Sequence, residues 1–292
     1  MKRPIIWAVC GWIATCVGAA DKPSSATKED PWTNSLGMKF VPVPETKVLF
    51  CIWETRVQDF EAFVKATGYD ATKNMGSFHK DGFKYGVDNW KSPGFEQTPS
   101  NAVCGVSWED AKAFCEWLTK KERAAGLLGP NQSYRLPTDA EWTQAAGTER
   151  YPWGVPWPPP KGAGNYAGEE AKNHLPPNPH RMWFIGEYND GFERTAPVGS
   201  FAPNEAGLYD MGGNVWEWCE DYYQKSMNSS SIRRENPELE DDQGGKTLRV
   251  LRGASWISEN RFELLTACRF AALPNVRQSS NGFRCVLELG TP

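Results

Sequence analysis

The chain has 292 residues, 23% of them charged, and a formal net charge of −4. Charges of both signs are spread along its length, so no basic stripe points to nucleic acid and no long acidic tail stands out. The 14 Trp, 22 Pro and 27 Gly, with few long apolar runs, argue against a core of long amphipathic helices and for a loop-rich fold resting on aromatic anchors.

The N-terminus reads as a leader. Lys2 and Arg3 precede an almost wholly apolar or small stretch from Ile5 to Ala20, and Gly18-Ala19-Ala20 before Asp21 is a small-residue cleavage site. The run is too short to span a bilayer comfortably, and no other segment is apolar enough to do so. A lipoprotein variant would use Cys16, but Ile13-Ala14-Thr15 is a poor lipobox. The expectation is a signal peptide over 1–20, a disordered polar tail over 21–33, one domain over 34–292, and a secreted or periplasmic location without a membrane span. Of eight cysteines, Cys51, Cys104, Cys115, Cys219, Cys268 and Cys285 remain after cleavage. An even number in an oxidising compartment suggests disulfides, whose pairing spacing alone does not give, and the absence of CxxC argues against a zinc ribbon.

Residues 37–43 alternate like a strand, and Val48 to Glu54 is a second, rich in β-branched and aromatic residues. Thr55 is placed to cap a helix in which Val57, Phe60, Phe63 and Val64 recur at helical spacing until Gly68. Residues 69–100 show no periodicity and read as an aromatic loop region. A short strand, Val103 to Val106, leads to a clear helix with Ser107 as its N-cap and Asp110 three residues on. A second helix follows Leu136-Pro137, capped by Thr138 with Glu141 as partner, so that Trp142 and Ala145 face inward. From Gly147 to Gly207 the chain is nearly all loop, a length that needs metal, disulfide or ligand to hold it. Residues 224–246 read as a surface insert, and strands are expected over Arg249–Ser255, Ala267–Ala271 and Gly282–Leu287.

Four blocks in order carry a resemblance: VSWEDAKAFCEWL (106–118), YRLPTDAEW (134–142), GLYDMGGNVWEWCEDYY (207–223), and RVLRGASW with GFRCV (249–256, 282–286). With TNSLGMKFVPV (33–43) and WETRVQDFEAF (53–63), they resemble the formylglycine-generating-enzyme, or sulfatase-modifying-factor, family across the expected mature chain. The resemblance implies an α+β fold, a loop-rich variant of the C-type-lectin-like fold. It implies two structural calcium sites, one from the side chains of Asn165 and Asp190 with the carbonyls of Tyr166 and Phe192. The other would use the side chains of Asp210 and Glu217 with the carbonyls of Gly213 and Val215; oxygen ligands suit Ca²⁺. Without the resemblance, Asp190 and Asp210 read as turn residues and Glu217, flanked by Trp216 and Trp218, as a carboxylate needing a cation or donors. It implies a Cys115–Cys285 disulfide, and puts Ala146 where the family has the partner of Cys268.

The family's formylglycine-generating members oxidise a cysteine of a sulfatase at copper(I) held by two cysteines. Those positions count to Ser258 and Glu263 here, hard oxygen groups unsuited to Cu(I), so copper is not expected. Iron is left open: other relatives bind it with three histidines, but His79, His174 and His180 form no HxxxH pair, and loop exposure accounts for the latter two. Around the family's substrate groove the candidates are Ser255, Trp256, Glu259, Arg261 and Arg269, with Trp53, Trp90 and Arg284 as possible contributors; each also reads as core or solvated surface. The expected function is an exported, divergent oxidoreductase-family protein without the copper–cysteine site. The alternative is a non-catalytic module binding a peptide, protein or glycan.

Overall fold

The computed structural model describes residues 22–175, 184–224 and 248–290. The expected leader, most of the insert, and His180 lie outside them. In chain order the elements are β1 (Trp32–Thr33), β2 (Lys39–Pro42), β3 (Val48–Cys51), α1 (Val57–Thr67), β4 (Met75–His79), β5 (Gly82–Tyr85), α2 (Trp108–Ala124), β6 (Ser133–Arg135) and α3 (Asp139–Ala146). Then come β7 (Trp216–Tyr222), β8 (Arg249–Arg252), β9 (Phe270–Ala272), β10 (Arg277–Gln278), β11 (Asn281–Gly282) and β12 (Val286–Glu288).

These strands build three small sheets with orders β1-β2-β3-β12-β6, β10-β4-β5 and β11-β7-β8-β9. The first joins the two ends of the domain, because β12 pairs antiparallel with both β3 and β6. Residues Phe283 to Cys285 cross from the third sheet to the first. The main core lies where these sheets meet α1 and α2, and Phe60, Phe114 and Phe283 pack edge-to-face or stacked at its centre. The aromatic-anchor expectation holds: Trp90, Trp142, Trp218 and Trp256 are among the largest fully buried side chains.

Helix starts follow local chemistry. Ser107 Oγ accepts from the Asp110 amide at 3.1 Å while Asp110 accepts from the Ser107 amide at 2.8 Å. Thr138 and Glu141 exchange the same pair of bonds at 3.1 and 2.8 Å. At α1 the cap is Arg56 rather than Thr55: Asp59 accepts from the Arg56 amide and guanidinium, while the Thr55 amide donates to the Phe283 carbonyl. The expected strand over Val103–Val106 is irregular chain, its amides bonded singly to Thr55 and to Gln278 and Asn281 rather than to a ladder.

Two expectations are corrected. Residues 69–100 contain the β4–β5 hairpin, hidden from a periodicity test because Gly76 and Gly82 interrupt the alternation. The polar stretch before 34 packs onto the domain from residue 22 onward. Trp32 is buried against Phe40 and Tyr134, and Lys28 Nζ donates to the Glu205 carbonyl at 2.6 Å. Trp32→Ala is expected to destabilise the protein by about 3–5 kcal/mol in urea unfolding; an unchanged midpoint would mean that this segment is not docked.

Candidate functional site

The site grows from the third sheet. Glu217 is the second residue of β7, between Arg252 on β8 and Gly282 on β11. Its carboxylate accepts from Arg284 Nε at 2.7 Å, Arg284 Nη2 at 2.6 Å and Trp142 Nε1 at 2.9 Å. Both Glu217 and Arg284 are fully buried. The cation that a carboxylate between two indoles needs is thus supplied, in the first place, by the chain itself. Arg284 also donates to the carbonyls of Tyr209 and Asp210 at 2.9 and 3.2 Å, so it gathers Asp210 and Glu217 into one pocket of charge.

Asp210 lies beside them with its backbone at φ 55, one carboxylate oxygen accepting from Gly199 N at 2.8 Å and the other, Oδ1, buried without a partner. Burial pushes its carboxyl up to about 6, the Arg284 charge and the Gly199 amide opposing. A third buried carboxylate, Glu54, accepts from Asn214 Nδ2 at 2.6 Å and Val215 N at 3.1 Å. Burial, then the charges of Asp210 and Glu217, raises it well above the usual carboxylate range. Three buried acids thus lie around one guanidinium.

Members of the second expected set also meet, through backbone amides. Asp190 accepts from the amides of Tyr166 and Phe192, each at 2.8 Å, and burial raises its carboxyl to about 7. Asn165 donates to the Arg194 carbonyl at 2.8 Å, which turns Oδ1 into the interior without a partner. Glu170 Oε2 nearby is likewise buried and unpartnered. Asn214 connects the two sets. Its amide donates to the Asn165 carbonyl, its side-chain oxygen accepts from Ala196 N, and its carbonyl accepts from Trp256 N. Gly213 permits the close approach: at φ 91, a Cβ there would stand 2.3 Å from the Asn165 carbonyl oxygen. Among the described residues, no three His, Cys, Asp or Glu side chains converge as a metal cluster.

The groove candidates separate. Ser255 and Ser258 are buried and close a tight turn, the Ser258 amide donating to the Ser255 carbonyl at 2.9 Å and the Ser255 amide to Ser258 Oγ at 3.2 Å. Trp256 is core rather than groove: it is 2% exposed, donates to the Ser279 carbonyl, and carries the Arg194 guanidinium 4.7 Å above its ring. Arg269 pairs with Asp139 at 2.7 Å, which fixes it to α3. Arg261 is exposed beside Phe262, and the Glu263 amide donates to the Asn260 carbonyl. Glu259 lines a cavity of about 350 Å³ with Trp157, Phe184 and Asn260. Trp90 is buried on Phe60, and Trp53 is part-buried under the Arg56 guanidinium.

Cys115 and Cys285 place their sulfurs 3.6 Å apart across α2 and the sheet crossover. All six described cysteines are buried thiols. Burial raises Cys51, Cys104 and Cys268 to about 12, the state of inert rather than nucleophilic thiols. His79 bonds Asp88 at 2.6 Å and His174 bonds Glu193 at 2.7 Å, so each is held by its own carboxylate in a different part of the chain.

With this geometry in view, residues 41–289 match the model of the sulfatase-modifying factor enzyme 1-like domain. The chain belongs to that family. It is 32% identical to a formylglycine-generating enzyme of Thermomonospora curvata, with 79% of this chain and 78% of the relative covered. It is 32% identical to the inactive C-alpha-formylglycine-generating enzyme 2 of Bos taurus, over 70% of this chain and 57% of the relative. Treponema denticola variable protein 1 superposes with a TM-score of 0.56 at 20% identity, covering 88% of this chain and 98% of that one. The fold is therefore the α+β, C-type-lectin-like fold of this family.

The sequence reading missed Glu54, Asn214 and Glu170. Glu54 is written within a strand-like run, where a lone acid looks like a strand end, and Asn214 among turn residues. Their buried positions arise only when distant loops close on them.

Arg284→Met, which strands Glu217 without its charge partner, is expected to cost about 3–5 kcal/mol in denaturant unfolding. Asp190 and Asp210 hold protons more tightly folded than unfolded, so in calcium-free buffer stability is greatest below pH 4 at these groups and is lost as pH rises through about 6 and 7. Asp190→Asn is expected to flatten the fall in melting temperature over that range; an unaltered slope counts against it.

Proposed function

We propose that this chain is an exported, divergent formylglycine-generating-enzyme-like protein that keeps the family scaffold and its calcium sites and does not perform copper(I)-dependent cysteine oxidation. The observation that carries this reading is Ser258. It occupies a position that counts to a copper cysteine of the family, and its hydroxyl is 1% exposed and bonded to the Ser255 amide. A buried hydroxyl in a backbone turn and the Glu263 carboxylate are a hard donor set, which does not fit Cu(I). Similarity to a relative named as inactive accords with this. The oxidoreductase ancestry remains in the fold, and an iron-dependent activity would need ligands other than the separately paired His79 and His174.

The second reading is a non-catalytic module that displays a ligand- or protein-binding surface. It is favoured by the same turn, since Ser255, Trp256 and Ser258 serve packing rather than an open reaction centre. The calcium reading rests on the orphaned oxygens of Asn165 and Asp210 and on the surplus of buried acids around Arg284. Asn165, Tyr166, Asp190 and Phe192 would hold one ion, and Asp210, Gly213, Val215 and Glu217 the other. Bound calcium would neutralise these acids and order the long loop. In an oxidising compartment the close Cys115 and Cys285 sulfurs would join as a disulfide.

Elemental analysis of periplasmically produced protein is expected to find calcium and no stoichiometric copper after Cu(I) loading, whereas Ser258→Cys with Glu263→Cys should gain copper. One copper per parent chain would overturn the reading. Chelation is expected to lower the melting temperature, and free calcium at about a hundred times its Kd to restore ~2.7 kcal/mol per site. Non-reducing peptide mapping should recover Cys115 linked to Cys285; free thiols at both would remove the disulfide.

A further inference from the structure

A second cleft lies between the sheet β10-β4-β5 and strand β9, and its lining includes no residue of the acid cluster or the Ser258 turn. Its volume is about 400 Å³, within the range of small-ligand sites. One wall is a sheet face. Gly76 stands opposite Tyr85 on β5 and opposite Gln278 on β10, and Phe78 opposite Phe83, so these side chains share one face. Gly76 creates the space: a Cβ there would meet Phe83 Cζ at 2.3 Å, so the Phe83 ring lies directly over the glycine. Phe83 is held at its edge by Phe78, 5.2 Å away, yet remains 52% exposed, and Tyr85 is 66% exposed. The other wall carries Phe270, whose ring is fixed from behind by stacking on Trp216 at 5.6 Å.

The rim is polar and neutral. Asn74, Asn275 and Gln278 line the cleft, and no side-chain hydrogen bond to another described residue occupies their amides. The one charged lining residue, Arg277, is spent: Nε and Nη2 bond Asp110 at 2.6 and 2.7 Å, and Nη1 the Lys73 carbonyl at 3.1 Å. The neighbouring Lys73 and Lys84 pair with Asp70 and Asp81. Fixed rings with open faces suit the C–H face of a flat ring, and primary amides give and accept hydrogen bonds together. The lining has no unspent cation for a phosphate and no carboxylate for an amine. The cleft is also built from side chains on strand faces, which does not favour a peptide added to a strand edge.

We propose that this cleft is a binding site for a neutral saccharide, its pyranose ring seated between Phe83–Tyr85 and Phe270 and its hydroxyls bonded to Asn74, Asn275 and Gln278. The site is independent of the calcium and copper reading, which metal analysis tests separately.

The test is calorimetric titration of the full mature chain with cellohexaose, chitohexaose, mannohexaose and xylohexaose, and with uridine monophosphate as the charged comparison. At least one oligosaccharide is expected to bind with one-to-one saturation and uridine monophosphate not to bind. Tyr85→Ala, at an exposed position that the fold does not need, should weaken that binding about tenfold, the loss of one stacking face with its contacts. Gln278→Ala should weaken it, and Val87→Ala, exposed but outside the lining, should leave it unchanged. The proposal is overturned by the absence of binding across the panel, by equal affinity in parent and Tyr85→Ala, or by preferred binding of the nucleotide.

Discussion

The Arg284 guanidinium is the point at which the sheets of this molecule are tied together. From the segment between β11 and β12 it holds both oxygens of Glu217 on β7, and donates to the Cys51 carbonyl at the end of β3 at 3.3 Å. A charge this deeply buried is tolerable only when every donor finds an acceptor, and here the carbonyls of Tyr209 and Asp210 take the remainder. That requirement fixes the course of the 209–217 loop, and through Asp210 and Asn214 it fixes the loops around 165 and 196 as well. The small sheets alone, the longest strand among the described residues having seven residues, could not specify so much irregular chain.

The same arrangement concentrates negative charge. Glu54, Asp210 and Glu217 share one guanidinium, and Asp190 stands in a second buried setting with Glu170 beside it. Desolvation pushes Glu54, Asp210 and Asp190 toward their protonated forms.

Against this constrained half, the face carrying Phe83, Tyr85 and Phe270 is open. Phe83 and Phe270 are packed on Phe78 and Trp216, and its charges are internally paired. The molecule thus separates a rigid, acid-rich interior from a neutral aromatic surface, an arrangement in which a scaffold built for one chemistry can carry recognition elsewhere.

Sequence by itself determined the family, the helices and the aromatic core. Capping pairs such as Ser107–Asp110 and Thr138–Glu141 act over three residues, and indoles such as Trp142 have no comfortable place outside a core. Only the tertiary structure decided which groups meet: that Arg284 answers Glu217 across 67 residues, that Asn214 reaches Glu54 across 160, and that Trp256 packs inward under Arg194. It alone revealed the β4–β5 hairpin and the docking of Trp32, since glycines break the alternation in one and polar neighbours mask the other. Local order is written in spacing of a few residues, whereas burial and charge pairing depend on chain closure that no single segment encodes.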